Sequence, residues 1–372
     1  MDVTIGPVLV AQRKAQHLTQ QQLADFIGVS KAAVSKWETG KTYPDITLLP
    51  ALAAYFNMSI DDLLNYEPQL SATEIQHIYA ALKADFDTKP GAEVLTTIRS
   101  FIRRYYACYP FIQQMGLLIL NHFDLLPGKD LAAKQATYVP EAQALFIHVR
   151  DNAQDVDLVA QARNMAGYTL LLLNKPQAVL DLLGTRTPAY LPVESLIATA
   201  FQQQDDLKAA QGIYQSALAQ YLSIMMSQFS NYLQLLVKDP AKFAATYRRG
   251  QGVADVFAFG TLNPVAMMNF QLSAATGFAK QQQTEALFSV LTAFADLFAH
   301  LEFPVVLHGD AYFDQIDDWL AHLDIGTQLP RGAQQVQSGL RDYVLQSPVF
   351  APYQDDPRMV AIRQQLKGSE SV

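Results

Sequence analysis

Along most of this chain, apolar residues recur every three or four positions, the period of a helix with one buried face, and runs of strand-like alternation are nearly absent. In residues 5 to 66 the pattern predicts five short helices. The first covers about 6 to 16. The second opens in "LTQQQLADFIG", where Thr19 as N-cap and Gln22 three residues later make a capping box. Gly28 allows a sharp turn, and a third helix runs from an N-cap at Ser30 to a stop at Gly40. "ITLLPALAAYF" is a fourth, with Thr47 as cap and Pro50 in its first turn, and Ser59 caps a last turn, "IDDLL". Leu18, Leu23, Ile27, Val29, Val34, Trp37, Leu48, Leu52, Ile60 and Leu63 are the predicted core of this unit.

From about residue 71 the helical segments lengthen. They are predicted at 72–86, 92–107, 110–123, 132–150, 155–174, 176–183, 190–203, 206–234, 240–259, 264–281, 283–300, 310–323, 332–346 and 355–367. The breaks fall at stop signals such as "KPG", "LPGKD", "NKP", "KDP" and "LPRG". "ARNMAGYTLLLLNKPQAVLDLL", "LIATAFQQQDDLKAAQGIYQSAL" and "LSAATGFAKQQQTEALFSVLTAF" share one plan: a helix with small residues, a polar turn, then a second helix. Small residues let neighbouring helices approach closely, as stacked helix pairs require. An irregular helical bundle is the alternative. The fold class is all-α. The expected division is a head at 1–66 and a helical-repeat domain at 67–372, meeting near "NYEPQLSATE", where Ser71 and Glu74 open the next helix.

Composition narrows the chemistry. Half of the 372 residues are hydrophobic and 17% are charged, which argues against disorder. A single cysteine, Cys108, excludes a disulfide framework and fits a reducing, cytoplasmic compartment. The apolar runs are too short to span a membrane, and "MDVTIGPVLVAQRK" does not read as a signal peptide. None of the seven histidines forms a metal-binding pair. The acids around His308 (Asp310, Asp314, Asp317 and Asp318) match no calcium loop. No enzyme, metal or cofactor is expected.

The formal charge of -8 argues against a nucleic-acid partner until its distribution is seen. Residues 10 to 43 carry Arg13, Lys14, Lys31, Lys36 and Lys41 against only Asp25 and Glu38. On the third helix Val34 and Trp37 point inward, which leaves Lys31, Ala32, Ser35 and Lys36 on the outer surface. Lysine can donate to guanine, serine can meet either base edge, and alanine can touch the thymine methyl. Two short helices joined by a tight turn are the helix-turn-helix arrangement.

The stretch "RKAQHLTQQQLADFIGVSKAAVSKWETGKTYPDITLLPALAAYFNMSIDDLL" resembles the phage-repressor-like XRE class of DNA-binding domains, which have five helices. The resemblance implies that Lys31, Ala32, Ser35 and Lys36 face bases. It implies that Gln20, Thr39, Lys41 and Tyr43 meet the DNA backbone, and that Arg13 and Glu38 form a structural ion pair. One small head reads about one half-site, so a homodimer held by the tail is expected on double-stranded DNA.

The order of head and tail is similar to that of the Gram-positive pheromone-sensing regulators, which join an XRE head to a tetratricopeptide-like domain that binds short peptides. That likeness implies a peptide effector, with Asn164, Tyr168, Asn231 and Asn269 as candidate contacts and Arg248 and Arg249 as neighbours. An asparagine amide both donates and accepts, which suits it to a peptide backbone. Two other readings stand beside this one: a regulator whose tail only dimerises or docks a protein, and a scaffold whose head no longer binds an operator.

Overall fold

A computed structural model describes residues 5–66, 69–187 and 192–368. The N-terminal helices are α1 (Ile5–Ala15), α2 (Gln20–Ile27), α3 (Lys31–Glu38), α4 (Leu49–Phe56) and α5 (Ile60–Leu64). Their ends are set by the residues at the caps. Thr19 and Gln22 form a reciprocal capping box on α2, and Gly28, at φ 79°, takes the left-handed conformation that ends it. Ser30 then caps α3 by accepting from the Ala33 amide. Leu9, Leu23, Val34, Leu52 and Leu63 are fully buried around Trp37 and Phe56, so the five helices close on a core of their own.

Two expectations for this region change. Asp45, not Thr47, caps the fourth segment, accepting from the Thr47 amide at 2.9 Å, because a 3-10 turn at Ile46–Leu48 precedes α4. Ile60 is exposed rather than core, since a helix of one turn has room to bury only one side and Leu63 takes it. The 66/67 boundary abuts residues 67 and 68, which lie outside the described residues.

Longer helices follow: α6 (Ala72–Thr88), α7 (Gly91–Arg104), α8 (Tyr109–His122), α9 (Leu131–Asn152), α10 (Val156–Leu172), α11 (Pro176–Leu183), α12 (Glu194–Gln203) and α13 (Leu207–Leu235). Then come α14 (Pro240–Val256), α15 (Phe259–Leu262), α16 (Pro264–Lys280), α17 (Thr284–Ala299), α18 (Asp317–Ala321), α19 (Ala333–Gln346) and α20 (Pro357–Gly368). Neighbours in sequence pack on each other (α8 with α9, α9 with α10, α12 with α13, α16 with α17), and α13 also packs on α16. The protein is therefore all-α, a few-helix head followed by a large region of successive helix pairs. Two departures stand out. Residues 310–316 are not helical, because Asp310 turns the chain by accepting from the Tyr312 and Phe313 amides. The 240–259 helix stops at Val256, where Ala258, at φ 47°, starts the separate α15. The first residues of the 190–203 prediction lie outside the described residues.

The helical region has two hydrophobic cores. Helices α6 to α10 surround Phe111, Met115, Ile119 and Phe146, and α13 to α20 surround Met226, Phe243, Phe270 and Phe294. A C-terminal return segment, residues 321–335, bonds to the first of these groups. Gln76 Nε2 donates to the carbonyls of Ala321 and Leu323, Tyr79 Oη to that of Pro330, and Lys83 Nζ to that of Leu329. Gln114 meets Asp324 at 3.0 Å, and Arg331 pairs with Asp124 at 2.6 Å.

Candidate nucleic-acid interface

Helix α3 presents two unlike faces. Val34 and Trp37 are buried in the head core, while Lys31, Ala32 and Lys36 are exposed and Ser35 is half-buried. At 100° per residue, positions 31, 32, 35 and 36 share one side of the cylinder, away from 34 and 37. The helix is eight residues long and held at both ends, by the Ser30 cap and by Thr39, whose hydroxyl returns to the Ser35 carbonyl at 2.8 Å. Lys41 and Tyr43 lie exposed beyond its C-terminus.

What orients α3 is a polar network behind it. Arg13 makes a two-pronged contact with Glu38, Nε to Oε1 at 2.6 Å and Nη2 to Oε2 at 2.9 Å, and a third bond to the Leu18 carbonyl at 2.8 Å. Gln20 Nε2 donates to the same carboxylate at 2.8 Å. One carboxylate thus ties α1, the start of α2 and the end of α3 together. Burial acts to raise the Glu38 carboxyl, but hydrogen bonds from Arg13 and Gln20 and the nearby charges outweigh it and hold it below its ordinary value. In this structure the Gln20 amide is engaged inside the network, and Arg13 is neutralised there. The free positive charge on residues 10–43 is therefore Lys14, Lys31, Lys36 and Lys41.

A second site lies in the tail. A groove of about 820 Å³ runs between α13, α16 and α19, with Arg331 just before α19. Ser227, Ser230, Asn231 and Gln234 line it from α13, and Asn269, Ser273, Thr276 and Lys280 line it from α16. Tyr343 Oη meets Thr276 Oγ1 at 3.0 Å across it. Of the four candidates in the tail, Asn231 and Asn269 come together here. Asn164 and Tyr168 are exposed on α10, and Asn164 borders a different hollow with Arg163 and Thr185. Arg248 and Arg249 do not line the groove. Sequence reasoning missed Lys280, Arg331, Gln335 and Tyr343. For Lys280 the available signal was a polar stripe at helical spacing, at 227, 230, 231 and 234 on α13 and at 269, 273, 276 and 280 on α16.

The helix-turn-helix family pattern matches residues 9–63. The transcriptional repressor RstR of cryptic phage CTXphi in Vibrio cholerae is 36% identical over 77 residues, covering 19% of this chain and 69% of RstR. The chain belongs to the helix-turn-helix transcriptional regulators. Another such regulator, the HTH-type transcriptional activator BcrR of Enterococcus faecalis, is 40% identical over 65 residues, 18% of this chain and 32% of BcrR. The chain thus spans about a third of the length of BcrR. Among solved structures, Bacillus thuringiensis PlcR in complex with the peptide PapR7 and DNA aligns over 80% of this chain and 95% of its own, at 11% identity and a TM-score of 0.29. The described part of this helix-turn-helix regulator has no helix long and apolar enough to cross a membrane, and no group of three or more His, Cys, Asp or Glu placed to hold a metal ion.

Proposed function

We propose that the protein is a cytoplasmic, sequence-specific DNA-binding regulator with no catalytic role. Its head, residues 1–66, reads an operator through Lys31, Ala32, Ser35 and Lys36, with Gln20, Thr39, Lys41 and Tyr43 at the phosphates. The observation that carries this reading is the exposed α3 face, rich in lysine and locked from behind by the Arg13–Glu38–Gln20 network. A rigid short helix with amines on its outer side is what the major groove accepts. Residues 67–372 form the tail, which holds two heads as a homodimer and takes a short peptide effector in the α13–α16 groove. Asn231 and Asn269 on facing helices suit the alternating donors and acceptors of an extended peptide backbone.

A gel-shift series on the protein's own promoter DNA tests the head. The Lys31→Gln/Lys36→Gln double variant removes two exposed amines without touching the core. It is expected to bind at least about tenfold more weakly, as the loss of two base contacts implies. Equal binding by wild type and double variant would sink the regulatory reading.

A further inference from the structure

The groove residues do more than present neutral polar atoms. Among the described residues that line it, two carry a charge, Lys280 and Arg331, and both are cationic. Lys280 is exposed at the C-terminal end of α16 and makes no ion pair among the described residues. Arg331 uses Nη2 to hold Asp124 at 2.6 Å, and its Nε is buried without a hydrogen-bond partner. Gln335, one turn further, donates its amide nitrogen to Asp87 and leaves its Oε1 buried without a partner, but that oxygen is an acceptor and draws no anion. A buried donor left unpaired is costly, and here that donor belongs to a cation. An arginine has five donors, and a ligand oxyanion can satisfy those that Asp124 does not.

We infer that the groove is built for an anionic ligand, a short peptide whose free carboxylate is taken by Arg331 and Lys280 in competition with Asp124. This rests on the reading of the groove as the effector site. It adds the ligand's charge and a route for its effect. Asp124 follows α8 and Asp87 lies on α6, so both contacts fasten the return segment to the first core of the tail. A carboxylate that draws on Arg331 loosens that fastening. Ligand occupancy and closure of the tail are thereby linked through one guanidinium.

Affinity selection on the full-length protein tests this, with retained peptides read by mass spectrometry. Three pools of acetylated peptides of about seven residues, roughly 24 Å when extended, are used. The first has neutral side chains and a free C-terminal carboxylate. The second has the same sequences ending in carboxamide. The third is amidated but carries one Asp or Glu, which separates a terminal carboxylate from a side-chain one. Retention of the first or third pool about tenfold above the second is expected, with that preference lost in Arg331→Gln and weakened in the exposed-site variant Lys280→Gln. Asp124→Asn, which releases Arg331, should raise retention above wild type. Equal retention of charged and neutral pools overturns the inference while leaving the effector reading in place. Retention of no pool overturns both. Weaker retention by a folded Asp124→Asn protein overturns the competition.

Discussion

Glu38 is the residue on which the head's geometry turns, and Glu38→Ala is its sharpest test. The substitution removes the two bonds from Arg13 and the one from Gln20, and leaves an arginine side chain only 13% exposed without its carboxylate. Removing one partner of a buried ion pair costs about 3–5 kcal/mol. Arg13 keeps the Leu18 carbonyl and a little solvent exposure, so the lower end, about 3 kcal/mol, is expected. A unit of this size has only about 3–9 kcal/mol of stability, so the substitution removes much of it. The chain has two tryptophans, Trp37 buried in the head and Trp319 in the tail, so a Trp319→Phe background makes emission report on the head alone. Urea titration in that background should show an early transition for Glu38→Ala and an intermediate one for Glu38→Gln, which keeps an acceptor for Arg13. Because the folded Glu38 carboxyl lies below its unfolded value of 4.5, its contribution is fully present above that value and is lost as pH falls through the lower folded one. The Glu38→Gln head should lack this part of the acid response. A Glu38→Ala shift below about 1 kcal/mol, as for an exposed pair, would refute the reasoning.

Two further outcomes concern the tail. His122 is fully buried, stacked on Phe86 with Nδ1 2.9 Å from the Leu118 carbonyl, and burial pushes its pKa down from 6.5 to about 4, with Lys83 and Arg331 adding to the fall and Asp124 opposing it. The unfolded chain then takes up a proton that the folded one refuses, so the tail should lose about 3 kcal/mol between pH 7 and pH 4; denaturant titrations across that range should find this acid effect absent in His122→Phe. Gly277 faces the ring of the fully buried Phe243 so closely that an added Cβ would overlap it. Gly277→Ala should therefore destabilise the tail by about 1–3 kcal/mol in thermal melts and leave the Trp37 transition in place.

Much of the head was legible because its signals are local. Caps at Thr19, Ser30 and Ser59 are each made within three residues, and Gly28 needs only its own backbone conformation. Long helices in the tail were legible from their period alone. The polar groove was not, because it is made by residues some 35 to 110 positions apart, and only the packing of α13 on α16 brings Asn231 and Asn269 to one cleft. Asn164 and Tyr168 are of the same residue types as the groove's Asn231 and Tyr343, yet α10 belongs to the other core. The turn at Asp310 was misread as helix because acids after a glycine suit a helix start and an Asx-type turn equally well. Nothing local marks Arg331 or Gln335, whose partners Asp124 and Asp87 are 207 and 248 residues away.

That separation has a consequence for how the molecule is made. Synthesis is vectorial, and units that close on local contacts can fold as they leave the ribosome. The buried residues of the helix-turn-helix head and of the first tail core are all in place by about residue 183, whereas the segment that fastens the tail arrives only with residues 321–335. Each nascent chain thus passes through a stage in which its head is finished and its tail still open. A message cut short in that interval would yield a helix-turn-helix head without the Arg331 fastening.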